Sequence, residues 1–166
     1  MTQPLAFEDV SVGDRWRSRH RTLTETDIVN FACMTGDFDP LHVDHEHAAE
    51  SHFRRPIAHG LLGMAWVAGL GSHSPLVETL AFLGIENWEF RRPMYVGDTV
   101  YVVTDVLSKS ESGRKNGCVR WHRTLCNQHD QVVQEGVFRT LVARRASATA
   151  DRGRRASRTA KKRMVG

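Results

Sequence analysis

The chain has 166 residues, 40% of them hydrophobic and 25% charged, a globular balance with enough length for one core that buries roughly two thirds of the unfolded surface. The net charge of +4 divides unevenly: from Ala143 onward nine Arg or Lys residues face one acid, Asp151, so this segment carries +8 and residues 1–142 carry −4. The longest apolar stretch, LLGMAWVAGLG, is too short to span a bilayer, and the N-terminal MTQPLAFEDV lacks the pattern of a secretory signal, so a membrane anchor and export are not expected.

In chain order, VGDRWRSRHRTL, from Val12 to Leu23, reads as an edge strand after a Gly13-Asp14 turn. Thr24, with Asp27 three positions later, forms a capping-box pattern. Ile28, Phe31, Ala32 and Met34 then follow at helical spacing until Gly36 ends the helix and delivers Asp37. The loop DFDPLHVD comes next, and HEHAAES is predicted as a turn or two of helix capped by Asp44. From Pro56 to about Glu78 the low-bulk segment IAHGLLGMAWVAGLGSHSPLVE is expected to be the central buried helix, its glycines and alanines permitting close approach to a sheet. Strand-like runs follow at 80–90, 99–110, 118–128 and 132–143, with ESGRKNG and a short His-Asp turn separating the last three. The order predicts an α+β fold: a four-strand antiparallel meander wrapped on one long helix. Residues 1–143 form the predicted domain. Residues 144–166 form a basic, solvated and flexible appendage, the only place where contact with nucleic acid or an acidic partner is expected. Cys33, Cys118 and Cys126, odd in number and without CxxC spacing, lie in segments that read as buried helix or strand. They are expected to be reduced thiols of a cytoplasmic protein.

Chemistry concentrates in TGDFDPLH. Asp37 and His42 stand five residues apart across a loop in which Pro40 sets its own φ and drives Asp39 toward extended geometry. A carboxylate and an imidazole aimed at one water can remove one proton and deliver another, the general acid and base work of hydrating a double bond. Turn preference alone also accounts for an Asp-Pro loop. A metal site built from Asp37, Asp39, Asp44 and the histidines His42, His45, His47, His52 and His59 is not expected, because HVDHEH matches no helical HxxxH pair; His45, His47 and His52 read as exposed helix polar residues. In RPIAHGLL, Gly60 places backbone amides at a helix N-terminus, where they can hold an oxyanion or, alternatively, serve only close packing.

The stretch FACMTGDFDPLHVDHEHAAESHFRRPIAHGLLGMAWVAGL, with the later RRPMYVGDTVYV, resembles the MaoC-like dehydratase family, including the (R)-specific enoyl-CoA hydratases, over most of residues 5–142. The resemblance implies a hot-dog fold, a dimer or higher homo-oligomer with an acyl-CoA channel at its interface, and a hydro-lyase that needs no cofactor beyond its CoA thioester substrate. It assigns Asp37 and His42 to the catalytic pair and the Gly60 amide to the thioester oxygen. Asp39 stands where the family commonly has Asn, and the helix reads Trp66-Val67-Ala68 where the hydratases have a nearby serine. Asp39, His59, Met64, Arg91 and Arg92 are the remaining channel candidates, the two arginines as partners for CoA phosphates, and Leu62, Met64 and Trp66 as core or pocket lining. The expected reaction is reversible hydration of trans-2-enoyl-CoA to (R)-3-hydroxyacyl-CoA. A hot-dog thioesterase, a hydratase of branched or dicarboxylic acyl-CoA, and a non-catalytic acyl-CoA or nucleic-acid binding module are the alternatives.

Overall fold

The computed structural model describes residues 3–145, so most of the expected basic appendage lies outside the described residues. A 3-10 turn at Phe7–Asp9 precedes two short strands, β1 (Arg15–Arg17) and β2 (Arg21–Thr22). Then come helices α1 (Glu25–Thr35), α2 (Pro40–Val43), α3 (His45–Glu50) and α4 (Gly60–Gly71), and strands β3 (Thr79–Phe90), β4 (Thr99–Glu111), β5 (Asn116–Cys126) and β6 (Val132–Ala143). All strand pairs are antiparallel, in the order β1-β4-β5-β6-β3 with β2 also on β4.

The α+β architecture holds, with two differences in connection. The early strand is broken into β1 and β2, both laid along β4. Only β4, β5 and β6 form a meander, because β3 pairs with β6 at the far edge. A hairpin between β3 and β4 would need a tight turn. Residues 91–98 are instead drawn across the sheet end, where Leu23 N–H donates to Asp98 O (2.8 Å) and Gly97 N–H to Leu23 O (2.9 Å).

Helix α1 has the predicted ends. Thr24 Oγ1 accepts from Asp27 N–H, Asp27 Oδ2 accepts from Thr24 N–H, and Gly36 closes the helix at φ 79°, where a side chain would be strained. Burial opposes the Asp27 charge, but the Thr24 and Arg21 contacts outweigh it and hold the carboxyl below its ordinary value. Ile28, Phe31 and Ala32 are buried, whereas Met34 is 74% exposed because α1 turns it to solvent. Cys33 is exposed there too, against expectation; Cys118 is half-buried and Cys126 buried, and all three are free.

Helix α4 is shorter than the predicted 56–78. Its N-terminal flank is extended, Ile57 bridging Tyr95 and Ala58 N–H donating to Met94 O. Beyond Gly71 the chain opens again so that Val77 can bridge Leu5. The helix presents Leu62, Trp66 and Val67 to Val119, Trp121, Leu125 and Phe138 of the sheet. Two of its glycines receive polar side chains from the sheet. A Cβ at Gly63 would run into the Gln134 amide, and one at Gly71 would stand 2.7 Å from Arg123 Cζ. Arg123 donates to Gly71 O (3.2 Å), and burial pushes its guanidinium down to about 10.

Arg144 and Arg145, assigned by sequence to the appendage, are tied to the body. Glu8 accepts from Arg145 N–H (3.0 Å) and Arg144 Nε (2.9 Å), and these contacts draw its carboxyl down to about 2. The folded value lies below the ordinary one near 4.5, so this contact favours the native form above that pH and is lost as pH falls toward 2. A carboxyl-carbon NMR titration should place the Glu8 midpoint near 2 in the intact protein. Arg144→Ala should move that midpoint upward.

Candidate active site

The loop after α1 carries the two chemical side chains. Asp39 caps α2 with Oδ1 accepting from Leu41 N–H (2.9 Å), and Pro40 takes the first helical position, where no amide donor is needed. That single turn brings His42 back toward the segment before α4. His42 Nδ1 lies 2.7 Å from Ile57 O. A carbonyl can only accept, so Nδ1 carries a proton and chemistry at the ring falls to Nε2, which has no hydrogen-bond partner among the described residues. Asp37 is exposed at the mouth of the same site, and Asp44 caps α3 as expected.

His59 is the buried centre of the arrangement, 3% exposed. Its ring packs 3.8 Å from that of His42 and 5.0 Å from that of Phe31, centroid to centroid. Nε2–H donates to Asp37 O (2.9 Å), with Asp37 Oδ2 at 3.9 Å, and Nδ1 is buried without a hydrogen-bond partner. Asp37, His42 and His59 each offer a ligand atom within 4.8 Å of the others, the donor types of a two-histidine, one-carboxylate metal site. The two imidazoles, however, lie nearly face to face at 31°, and one nitrogen of each is held by a carbonyl. Their in-plane lone pairs therefore run alongside each other and do not converge. The set suits proton transfer better than coordination.

His59 also caps α4 in backbone geometry, and Gly60 opens the helix. The first-turn amides have no carbonyl partner within the helix and carry its positive end. Gly60 cannot be larger without displacing Phe90, whose Cε1 would stand 2.9 Å from an added Cβ. Beside Gly60 lies a cleft of about 270 Å³ lined by Phe53, Ile57, Phe90, Met94, Gln134 and the paired Arg91-Arg92 among others.

The structure thus brings together Asp37, His42, His59 and Gly60, with Arg91 and Arg92 on the rim of the adjoining cleft. Asp39 caps α2 through Oδ1 and is not among the residues lining that cleft. Met64 packs partly buried against the core and is not among the residues lining that cleft. Trp66 and Leu62 are core. His45 and His47 are exposed on α3, as expected; His52 is exposed but sits in the turn after that helix. Sequence reasoning missed Gln134, 2% exposed, whose Nε2–H donates to Gly60 O (3.0 Å). Its signal was an amide within a strand, on the same parity as the buried Gly136 and Phe138.

The protein-family model described as MaoC like domain matches residues 10–125. The (R)-specific enoyl-CoA hydratase of Rhodospirillum rubrum is 30% identical over 140 residues, covering 84% of this chain and 92% of that protein. Protein MaoC of Klebsiella aerogenes is 42% identical over 96 residues, 58% of this chain but only 29% of that longer protein. A conserved hypothetical protein from Mycobacterium tuberculosis with a double hot-dog fold superimposes with a TM-score of 0.74 at 21% identity, covering 85% of this chain and 44% of that one. The chain belongs to the MaoC-like domain family and has the hot-dog fold.

If Asp39 serves the site through its cap, Asp39→Asn should leave stability nearly unchanged. Asp39→Ala should cost about 1 kcal/mol in urea denaturation, since Asn and Asp cap equally well and Ala does not.

Proposed function

We propose that the protein hydrates trans-2-enoyl-CoA thioesters reversibly, giving (R)-3-hydroxyacyl-CoA. The observation that carries this reading is the approach of Asp37, His42 and the N-terminus of α4 around one opening, with His42 Nε2 left free by the Ile57 carbonyl. A thioester oxygen held at the Gly60 amide draws electron density from the β carbon, and it stabilises the enolate that forms when water adds there. Asp37 and His42 share that water: one takes its proton and the other protonates the α carbon, His42 acting only through Nε2 because Nδ1 is committed. The chemistry needs no redox step and no cofactor beyond the thioester itself. The (R) configuration follows the relative named for it.

The same reading includes a homodimer. Strand β3 is an edge of 12 residues with only β6 beside it among the described residues, and it exposes Leu80, Phe82, Leu83 and Ile85. Such an edge is stable when paired, and a second copy of β3 is a partner of matching length. Among the described residues no helix is long and apolar enough to cross a membrane, and we place the protein in the cytoplasm.

With crotonyl-CoA and longer enoyl-CoAs, wild-type protein should remove the enoyl-thioester absorbance. Asp37→Asn and His42→Ala should each lower kcat by about 10²–10⁴-fold while keeping the wild-type melting temperature within a few degrees. Release of free thiol without loss of the double bond would instead identify a thioesterase. Light scattering should give a dimer for the wild type. Leu83→Asp, which sets two like charges at a shared edge, should shift it toward monomer.

A further inference from the structure

The imidazole of His59 is a buried titratable group that the hydratase chemistry leaves unused. It belongs to residues 57–59, the short extended segment ahead of α4. Ala58 N–H donates to Met94 O (2.9 Å), which ties that segment to the body of the fold. The residues on either side of Ala58 bond instead to the chain that carries the reacting groups. Ile57 O accepts from His42 Nδ1–H (2.7 Å), and Ile57 N–H donates to Leu41 O (3.3 Å). His59 Nε2–H donates to Asp37 O (2.9 Å). One segment therefore registers both His42 and Asp37 against the start of α4.

The two anchors differ in what else supports them. His42 lies in α2, where Asp44 N–H also donates to Pro40 O (2.9 Å). Asp37 lies between α1 and α2, directly after the left-handed Gly36. Among the described residues, the other hydrogen bonds of Asp37 and Asp39 stay within that loop and its flanking turns. Asp37 N–H donates to Thr35 Oγ1 (3.3 Å), Asp39 N–H to Asp37 Oδ1 (3.3 Å), and Asp39 caps α2. Phe38 between them is 54% exposed. The bond from His59 is thus the link from this loop to a distant part of the chain. Its donor has little freedom to move, because the ring is buried and packed on those of Phe31 and His42. The same nitrogen stands 3.9 Å from Asp37 Oδ2, beyond hydrogen-bond range, so that oxygen stays available to a water. His59 is not among the residues lining the cleft beside Gly60, where the sequence placed it as a channel candidate.

We propose that His59 is a positioning residue: its Nε2–H fixes the Asp37 main chain, and through it the carboxylate, against the thioester at the start of α4. The ring exchanges no proton with substrate. This rests on the hydratase reading for what Asp37 does, whereas the contact itself does not.

Two substitutions separate the donor from the ring. Gln carries an N–H donor the same number of bonds from Cβ as His Nε2 but has no ring; Phe keeps a ring and loses the donor. With crotonyl-CoA, His59→Phe should lower kcat by about 10²-fold and leave KM nearly unchanged, since a misplaced acid or base slows the chemistry and not the binding. His59→Gln should recover most of that loss. A wild-type kcat in His59→Phe, a rise in KM alone, or equal losses in both variants overturns the assignment. A second readout needs neither turnover nor a variant that folds. Nitrogen-15 spectra of the histidine-labelled wild-type chain should show the His59 proton on Nε2, coupled across the hydrogen bond to the Asp37 carbonyl carbon. A ring protonated at Nδ1 alone, or no such coupling, overturns the contact. If no enoyl thioester is hydrated, the hydratase reading fails separately and the spectra still decide whether His59 holds Asp37.

Discussion

One buried imidazole ties the site together. His59 lies between Phe31 of α1 and His42 of α2, reaches the main-chain carbonyl of Asp37, and caps the helix whose first amide is Gly60. Phe31, Asp37 and His42, from α1, the loop after it and α2, are therefore held against one ring at the start of α4. A ring so placed loses little by being polar, because one nitrogen is bonded and the rest of its surface is in van der Waals contact. The cost appears at Nδ1, which stays unpaired in the interior. The core beneath is ordinary by comparison: Leu62, Trp66 and Val67 of α4 against valines, Trp121 and Phe138 of the sheet.

The second constraint is the closeness of α4 to the sheet. Glycines at 63 and 71 let Gln134 and Arg123 reach the two ends of the helix and bond to the carbonyls of Gly60 and Gly71. The first bond steadies the peptide whose neighbouring amide faces the thioester in our reading. The second holds a cation against the carbonyl end of the helix dipole, where a positive charge is favoured even though burial lowers its basicity. Gln134 and Arg123 thus mark the two ends of α4, and Leu62, Trp66 and Val67 between them pack on apolar side chains.

Much of this was legible in the residues because the signals were local. The Thr24-Asp27 box and Gly36 gave the ends of α1, Asp44 the start of α3, and period-two runs the four long strands. The Asp-Pro loop and the His-Gly step gave the residues that meet at the opening. What was not legible depended on partners distant in sequence. The limits of the central helix were set by Met94 and Leu5 pairing with its flanks, the position of β3 by its pairing with β6, and the role of Asp39 by a single turn of helix too short to show periodicity. Gln134 was hidden for the same reason, since an amide in a strand acquires meaning only from the helix end above it.

The central claim is that Asp37 and His42 place a water molecule on the β carbon of a thioester that remains intact. Turnover of crotonyl-CoA in heavy-oxygen water, followed by mass spectrometry of the product, tests it directly. The account predicts the heavy oxygen in a hydroxyl on the β carbon of a thioester still joined to CoA. Heavy oxygen in a free carboxylate, with CoA released, would contradict it.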